Sequence, residues 1–176
     1  MVRKKQKENP SVVVNCILID GKSCKGNITL PNTIKSICDN AFSYSGVTAI
    51  TIPDSVTYIG RYAFSDCSSL VSVKIPDSVT FLGDSAFYRC TKLKNVTLSN
   101  ALSIIQNDTF IQCKSLTQIT IPNSVNSIGY SAFHLCKNLK YVTMSSKIKK
   151  INGGVFDECN DNLIIYSYNN SYPEIC

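Results

Sequence analysis

Short stretches of alternating apolar and polar residues recur along the chain at a fixed distance. The stretch Leu70–Cys90 reads LVSVKIPDSVTFLGDSAFYRC. Its pattern returns at steps of 23 positions in three further copies, Leu93–Cys113, Leu116–Cys136 and Leu139–Cys159. Val47–Cys67 matches with a shortened lead-in, and a partial copy covers Ile28–Phe42. Repetition at such a period indicates a solenoid, in which each repeat forms one coil that stacks on the coil before it.

Each repeat opens with two apolar residues that flank one polar residue. The first apolar column is Ile28, Ile50, Val73, Val96, Ile119 and Val142. The second is Leu30, Ile52, Ile75, Leu98, Ile121 and Met144. A period of two with β-branched residues predicts a short strand that has one side in the core. Because each strand is so short, we expect it to pair with the same strand of adjacent coils, which gives a parallel sheet on one face.

The rest of each repeat predicts a return to the core and a tight corner. A proline follows most of the strands, and since proline cannot donate to a ladder, the strand ends there. A second apolar pair, such as Val79 and Leu82, then returns to the opposite wall. The recurring glycines Gly60, Gly83 and Gly129 predict positive φ, and residues 84–89 predict one helical or 3₁₀ turn. Phenylalanines close the unit and predict the heaviest core column: Phe42, Phe64, Phe87, Phe110, Phe133 and Phe156.

The predicted fold class is therefore a repeat solenoid, leucine-rich-repeat-like and mainly β, with short helical or 3₁₀ turns and about six coils of 23 residues. Residues 1–10 are predicted to be a flexible basic tail, 11–27 an N-terminal cap, 28–160 the solenoid and 161–176 a C-terminal cap. The caps contain two further predicted strands, residues 12–20 and 162–168. Because the second cap is thin, a second copy of the chain could cover the last coil, which predicts a homo-oligomer through the end caps.

Composition and charge exclude several classes of protein. The net charge is +6, and residues 1–10 supply half of it. That tail could act as a nuclear-import signal or a lipid anchor, but a solubilising end is the simpler interpretation. Basic residues do not line one face together with aromatic residues, which argues against nucleic-acid binding. No apolar run reaches the ~18 residues of a membrane-spanning helix, so no transmembrane segment is predicted.

Five of the nine cysteines fall at one position of the repeat. They are Cys67, Cys90, Cys113, Cys136 and Cys159. Side chains stacked in such a column point the same way, so they can neither form disulfides nor converge on a zinc ion. We expect buried thiols that pack as small apolar groups. The roles of Cys16, Cys24, Cys38 and Cys176 stay open, and the unpaired thiols favour a reducing compartment, the cytoplasm or the nucleus.

The run L-x2-V-x-I-P-x-S-V-x2-I-G-x2-A-F-x2-C resembles the repeat of the BspA-type leucine-rich repeat proteins. The residues that carry the resemblance here are Leu70, Val73, Ile75, Pro76, Ser78, Val79, Leu82, Gly83, Ala86, Phe87 and Cys90. The fourth copy departs most, with Ser99, Gln106 and Thr109 at the proline, glycine and alanine positions. The resemblance implies a curved solenoid without catalytic activity that binds proteins. Members of the family are often microbial surface proteins that contact host matrix or other cells.

No pattern typical of an enzyme is present. His134 is the only histidine, and its position in the repeat accepts such unlike residues that we expect it at the surface. Phosphate-binding glycine loops, dinucleotide motifs and metal signatures are missing from the sequence. We therefore predict a protein that is not an enzyme and uses no cofactor or metal.

The outward face of the strands remains as the candidate binding surface, because solenoids bind partners on such extended faces. The predicted partner-binding residues are Ser72, Lys74, Asn95, Thr97, Gln118, Thr120, Lys140, Tyr141 and Thr143. The threonines have an equally good explanation in strand propensity. Lys74 and Tyr141 break the pattern and give the mixture of cation and aromatic that interfaces favour. We expect a protein partner with some acidic character; the alternatives are a surface adhesin and a self-assembling solenoid.

Overall fold

The computed structural model describes residues 12–14 and 17–168, which form one stack of coils. These residues contain β-strands joined by turns. In chain order the strands are β1 (Val12–Val14), β2 (Ile17–Asp20), β3 (Lys25–Thr29), β4 (Ser36–Ile37), β5 (Gly46–Thr51), β6 (Tyr58–Ile59), β7 (Ser72–Lys74), β8 (Phe81–Leu82), β9 (Asn95–Thr97), β10 (Ile104–Ile105), β11 (Gln118–Thr120), β12 (Ser127–Ile128), β13 (Tyr141–Ser145), β14 (Lys150–Ile151) and β15 (Ile164–Tyr168). The tail at 1–10, Cys16, and the end at 169–176 with Cys176 lie outside the described residues.

The predicted strands form the first wall of the solenoid. One parallel sheet has the order β3-β5-β7-β9, and a second has the order β11-β13-β15. The register follows the repeat, since Val73 lies opposite Val96 and Val142 lies opposite Ile165. The predicted β-solenoid is confirmed, and the residues of the two predicted apolar columns, such as Val73 and Ile75, point into the core between the walls.

A second wall stands opposite, built from strands of two residues after the longer β1 and β2 at its N-terminal end. Its sheets have the orders β1-β2-β4-β6-β8 and β10-β12-β14, and all pairs except β1–β2 are parallel. The sequence predicted the return of the apolar pair but a sheet on one face alone. The second apolar residue of that pair lies in the ladder. Leu82 pairs with Ile59, and the N–H of the next residue, Gly83, donates to the carbonyl of Ile59 at 2.9 Å.

The phenylalanine column fills the third side of the core, as predicted. Neighbouring rings lie nearly parallel, with centroids 5.2 Å apart at Phe42–Phe64 and 5.7 Å apart at Phe133–Phe156. The first five rings are fully buried, whereas Phe156 in the last coil is half-buried. Each coil therefore contributes one ring to a continuous stack.

The corner that carries each phenylalanine is not helical. None of the described residues is in a helix, and residues 84–89 form successive turns. Ser85 has φ of 56° and Arg89 has φ of 57°, and the same two positions are left-handed in the other complete coils. Since a left-handed residue cannot belong to a right-handed helix, the predicted helical turn is wrong.

The recurring glycines serve close packing between coils rather than positive φ. Among the described glycines, positive φ occurs at Gly26 and Gly154 and not at Gly60, Gly83 or Gly129. A Cβ on Gly83 would lie 2.5 Å from the backbone nitrogen of Arg61, a separation that real Cβ atoms do not tolerate. The predicted conformation is therefore wrong, and the column exists because two backbones meet there.

Four of the five column cysteines are buried, as predicted, and Cys159 is half-buried. The column also makes hydrogen bonds that the sequence did not reveal. Each thiol donates to the carbonyl of the phenylalanine in the preceding coil, at 3.0 Å for Cys90 to Phe64 and 3.2 Å for Cys113 to Phe87. None of the five column cysteines forms a disulfide. A thiol is small enough for the core, and it gives a second hydrogen bond to a carbonyl that already accepts one from its own coil, as the Phe64 carbonyl does from the N–H of Cys67 at 3.2 Å.

The fourth coil, residues 93–115, interrupts both walls. Its strand β9 pairs with β7 of the preceding coil, whereas β10 pairs with β12 of the following coil. β9 does not pair with β11, and β10 does not pair with β8, so each ladder is broken on one side of this coil. Gln106 stands here in the glycine column, and its Cβ cannot approach the preceding backbone as closely as Gly83 does. Asn152 carries a side chain in the same column of a later coil, where its N–H still donates to the carbonyl of Ile128 at 3.0 Å.

The described residues close the two ends of the solenoid to different degrees. At the N-terminal end, β1 runs antiparallel to β2, and Gly21 lies so close to Phe42 that a Cβ there would overlap the ring. At the C-terminal end, β15 adds to β13 in register and is the last strand of its sheet. Ile165 is 45% exposed there, whereas Val142 beneath it is fully buried.

Candidate binding surface

The predicted partner-binding residues lie together on the outward side of the first wall. Ser72 and Lys74 of β7 lie opposite Asn95 and Thr97 of β9. Gln118 and Thr120 of β11 lie opposite Tyr141 and Thr143 of β13. Ser72 and Thr143 are half-buried, and the other seven residues of the set, Lys140 among them, are exposed. Since coils are spaced by about 4.8 Å, Lys74 and Tyr141 lie three strands and roughly 14 Å apart.

Two shallow depressions run along this face. One has a volume of about 460 Å³ and is lined by residues of β9, β11 and β13, among them Asn95, Gln118 and Tyr141. It lies over the interruption between β9 and β11, where Val96 is half-buried although its counterparts are buried. The other has a volume of about 500 Å³ and contains Lys74. Amides, hydroxyls and one cation line the depressions beside apolar side chains such as Ile119 and Val73, and the polar groups suit hydrogen bonding to a partner.

An acidic side chain near the face is already hydrogen-bonded within the solenoid. Asp77, just beyond the end of β7, accepts a hydrogen bond at 2.8 Å from the backbone N–H of Asn100. That bond, followed by a second from the Asn100 side chain, lowers the pKa of Asp77. Because this carboxylate is already bound to the next coil, Lys74 is the charged group of these strands that is available to a partner.

The last strand extends the face beyond the predicted residues. Ile164 and Tyr166 of β15 continue the columns of Tyr141 and Thr143, and they are 47% and 52% exposed. The rings of Tyr141 and Tyr166 stack with centroids 6.2 Å apart. Residues 162–168 were predicted as a strand but were not aligned with the repeat. The spacing of 23 between Tyr141 and Ile164 was the signal that could have found them.

The second wall carries an exposed apolar row that the sequence reasoning missed. Tyr58, Phe81 and Ile104 project outward from β6, β8 and β10, and each is between 36% and 38% exposed. The rings of Tyr58 and Phe81 stack with centroids 5.0 Å apart. Partial burial and then the carboxylate of Asp39 raise the pKa of Tyr58. Each of these residues stands directly before the second member of the apolar pair, and this position was the signal that could have revealed the row. A two-residue strand, however, is too short to show a recognisable alternation of apolar and polar residues.

The histidine and the column cysteines are held by backbone contacts and by burial. His134 is half-buried, and its Nδ1 lies 3.1 Å from the backbone carbonyl of Asp157, so it contacts backbone rather than a nucleophile. Burial raises the pKa of the Cys113 and Cys136 thiols, and that of Cys159 to about 11, which is the opposite of what a nucleophilic cysteine needs. Hydrogen bonds with Cys90 and Ser45 lower the pKa of Cys67, but this thiol is fully buried. No cluster of metal-ligating side chains and no helix able to span a membrane occurs in the described part of the chain.

The repeat is matched by an established family. The model of the BspA type leucine rich repeat region matches residues 35–164 in six copies. The chain belongs to this family. Proteins built from such repeats are commonly interaction or surface proteins, and as a class they are generally not enzymes.

Crystal structures of other leucine-rich repeat proteins share the fold of this BspA-type protein. A leucine-rich repeat protein from Eubacterium ventriosum is 22% identical, with a TM-score of 0.70 over 97% of this chain and 53% of that chain. The leucine rich repeat protein of T. pallidum is 23% identical, with a TM-score of 0.62 over 94% of this chain and 85% of that chain. A leucine rich cell surface protein from Faecalibacterium prausnitzii is 22% identical, with a TM-score of 0.55 over 84% of this chain and 60% of that chain.

These likenesses show the fold of the BspA-type chain and not its partner. The chain spans 60% of the Faecalibacterium protein and 53% of the Eubacterium protein. No curated protein matches the sequence. The cytoplasmic or nuclear location expected from the free thiols gains no support from these relatives, one of which is a cell surface protein.

Proposed function

We propose that this chain is a non-catalytic protein-interaction module that binds a protein partner with acidic character on the outward face of its first wall. The observation that carries the proposal is the exposed polar face from Lys74 to Tyr141, whose side chains project away from the core. Interfaces of this kind combine aromatic anchors and cations with a polar rim. Lys74 supplies an available cation at one end of the face, and Tyr141 with Lys140 supplies an anchor at the other.

The test is capture of a partner by the full chain and by the double variant Lys74→Glu/Tyr141→Ala. Both side chains are exposed, so the double variant should keep the melting temperature of the parent while losing partner capture. A matched control is Lys149→Glu/Tyr130→Ala, which makes the same substitutions at exposed positions outside this face. Equal capture by all three proteins would contradict the proposed face.

A second candidate, a surface adhesin that binds host matrix or cells, is favoured by one relative, the Faecalibacterium cell surface protein. The four buried members of the cysteine column do not argue against an oxidising location. Cys67, Cys90, Cys113 and Cys136 are fully buried, and buried thiols resist oxidation in either compartment. Labelling intact cells with a membrane-impermeant reagent separates the two candidates, because an adhesin is labelled and an internal protein is not.

A further inference from the structure

No described residue protects the outer edge of β15, in contrast to the edges at the other end of the solenoid. On the second wall, the N-terminal edge is covered by the antiparallel β1. On the first wall, the edge strand β3 contains Lys25 and a register shift between Gly26 and Asn27. A cover strand, a lysine and a bulge are the devices by which proteins prevent strand addition at sheet edges.

None of these devices is present on β15. The strand is five residues long, IIYSY, without charge, proline or register shift along its pairing with β13. Ile164, Ile165 and Tyr166 are each between 45% and 52% exposed. No strand of the described residues pairs with the outer side of β15. A long apolar edge of this kind is a template for another strand.

Hydrogen bonds to β13 identify which backbone groups of β15 point outward. Ile164 donates its N–H to the carbonyl of Lys140 at 2.8 Å, and the carbonyl of Tyr168 accepts from the N–H of Ser146 at 3.1 Å. In a parallel strand, alternate residues present their N–H and C=O groups to the same side. Ile165 and Ser167 therefore direct their backbone groups to the free edge. Ile165 also continues the inward column above Val142, so an added strand would bury it with an apolar residue of its own.

Charge distinguishes between the possible occupants of this edge. Residues 137–168 carry five lysines against three acids, a net charge of +2. Lys137 is paired with Glu158 at 2.8 Å. Lys140 lies at the start of the β13–β15 pair, and Lys147 follows directly after its end. A second copy would bring the same net positive charge to this end, whereas an acidic segment would be attracted to it.

We propose that an extended, acidic segment of the protein partner adds to the free edge of β15 as a further strand. The inference rests on the proposed function, because it names how and where the partner binds. Main-chain hydrogen bonds from Ile165 and Ser167 supply the attachment, apolar residues of the segment cover Ile165, and acidic residues at its ends meet Lys140 and Lys147. This is strand addition at a sheet edge, a recurring way in which folded domains bind peptides.

The experiment uses a fluorescent synthetic peptide, Asp-Asp-Val-Thr-Val-Thr-Val-Asp-Asp, titrated with the full chain and followed by anisotropy. The same peptide with lysines in place of the aspartates is the charge control, and it should bind at least about tenfold more weakly. Ser167→Pro removes an outward N–H without touching the ladder to β13, and proline is tolerated at such edge positions. This variant should keep its melting temperature and weaken binding of the acidic peptide by about tenfold or more. Ser167→Ala removes the hydroxyl but keeps the N–H, and it should bind as the parent does.

Equal binding of the acidic peptide by Ser167→Pro and Ser167→Ala would overturn the inference. If the parent chain is a dimer by light scattering and Ser167→Pro is a monomer, a second copy occupies the edge, and the acidic segment is the wrong occupant. If partner capture is lost in Lys74→Glu/Tyr141→Ala while peptide binding is the same in both Ser167 variants, the sheet face stands and the edge site fails. The reverse pattern would retain the edge site and reject the sheet face.

Discussion

Raising the pH from about 7.5 to about 9.5 should destabilise this protein through its buried cysteine column. Burial raises the pKa of Cys90, Cys113 and Cys136, so these thiols keep their protons in the folded state. In the unfolded chain they ionise near pH 8.5. Above that pH the unfolded state has released protons that the folded state still holds. The stabilisation is therefore complete below about pH 8.5 and is lost as the pH rises towards the folded pKa.

The size of the effect follows from proton linkage. One thiol that ionises near pH 8.5 only in the unfolded state reduces the free energy of unfolding by about 1.4 kcal/mol between pH 7.5 and 9.5. Three such thiols reduce it by about 4 kcal/mol, a large part of the ~5–15 kcal/mol that stabilises a typical domain. Other groups that ionise in this range add their own contributions, so the column has to be isolated by a variant.

The assay is urea unfolding followed by circular dichroism at both pH values, for the parent and for Cys113→Ser. Serine does not ionise in this range, and its hydroxyl can donate to the carbonyl of Phe87 as the thiol does at 3.2 Å. The variant should therefore lose about 1.4 kcal/mol less than the parent when the pH is raised. All other ionisations are common to both proteins and cancel in the difference. The same loss in both proteins would refute the claim that Cys113 stays protonated in the fold.

Three further predictions concern the stacked columns. Phe87→Ala should lower the free energy of unfolding by about 3–5 kcal/mol, and Phe156→Ala should lower it by clearly less because that ring is half-buried. Denaturant titration measures both losses, and equal values would contradict the difference in burial. Gly83→Ala should lower the free energy of unfolding by about 1–3 kcal/mol in the same assay, because the added Cβ meets backbone. Gly153→Ala should be close to neutral, because its Cβ would have its nearest neighbour at 3.9 Å. Similar values for the two variants would reject close packing as the role of the glycine column. Gln106→Gly should let β8 and β10 pair, which hydrogen exchange would detect as slower exchange of the amide at position 106; an unchanged rate would show that Gln106 does not cause the interruption.

The fixed repeat accounts for how much of this fold could be predicted. A step of 23 residues aligns every inward column, so Val73, Phe87 and Cys90 could be assigned to the core before any strand was located. The role of Gly83 could not be predicted, because a glycine needed for positive φ and a glycine needed for lack of a Cβ look alike in a sequence. The left-handed conformation of Ser85 and Arg89 was not predicted for a related reason, because serine and arginine are not residue types that indicate positive φ.

The candidate site was predictable in position and less so in extent. Alternation along the strands placed Lys74 and Tyr141 on the outward face, and both are exposed there. The contribution of Tyr166 was missed because the last strand lacks the leucine and proline that mark the other repeats. The outward row at Tyr58 was missed because a two-residue strand has no alternation to detect. That the face binds a partner stays a prediction, since side-chain position along a repeat carries no information about what occupies the surface.

The interrupted ladders at the fourth coil have a consequence for cooperativity. In a solenoid each coil is stabilised by its neighbours, so a weak junction divides the chain into blocks that can open independently. The fourth coil holds to the preceding block through β9 and to the following block through β10. Thermal melting should therefore begin at this junction and separate an N-terminal block from a C-terminal block. The second block contains β13 and β15, so it could open and close, with the surface that it carries, while the N-terminal block stays folded.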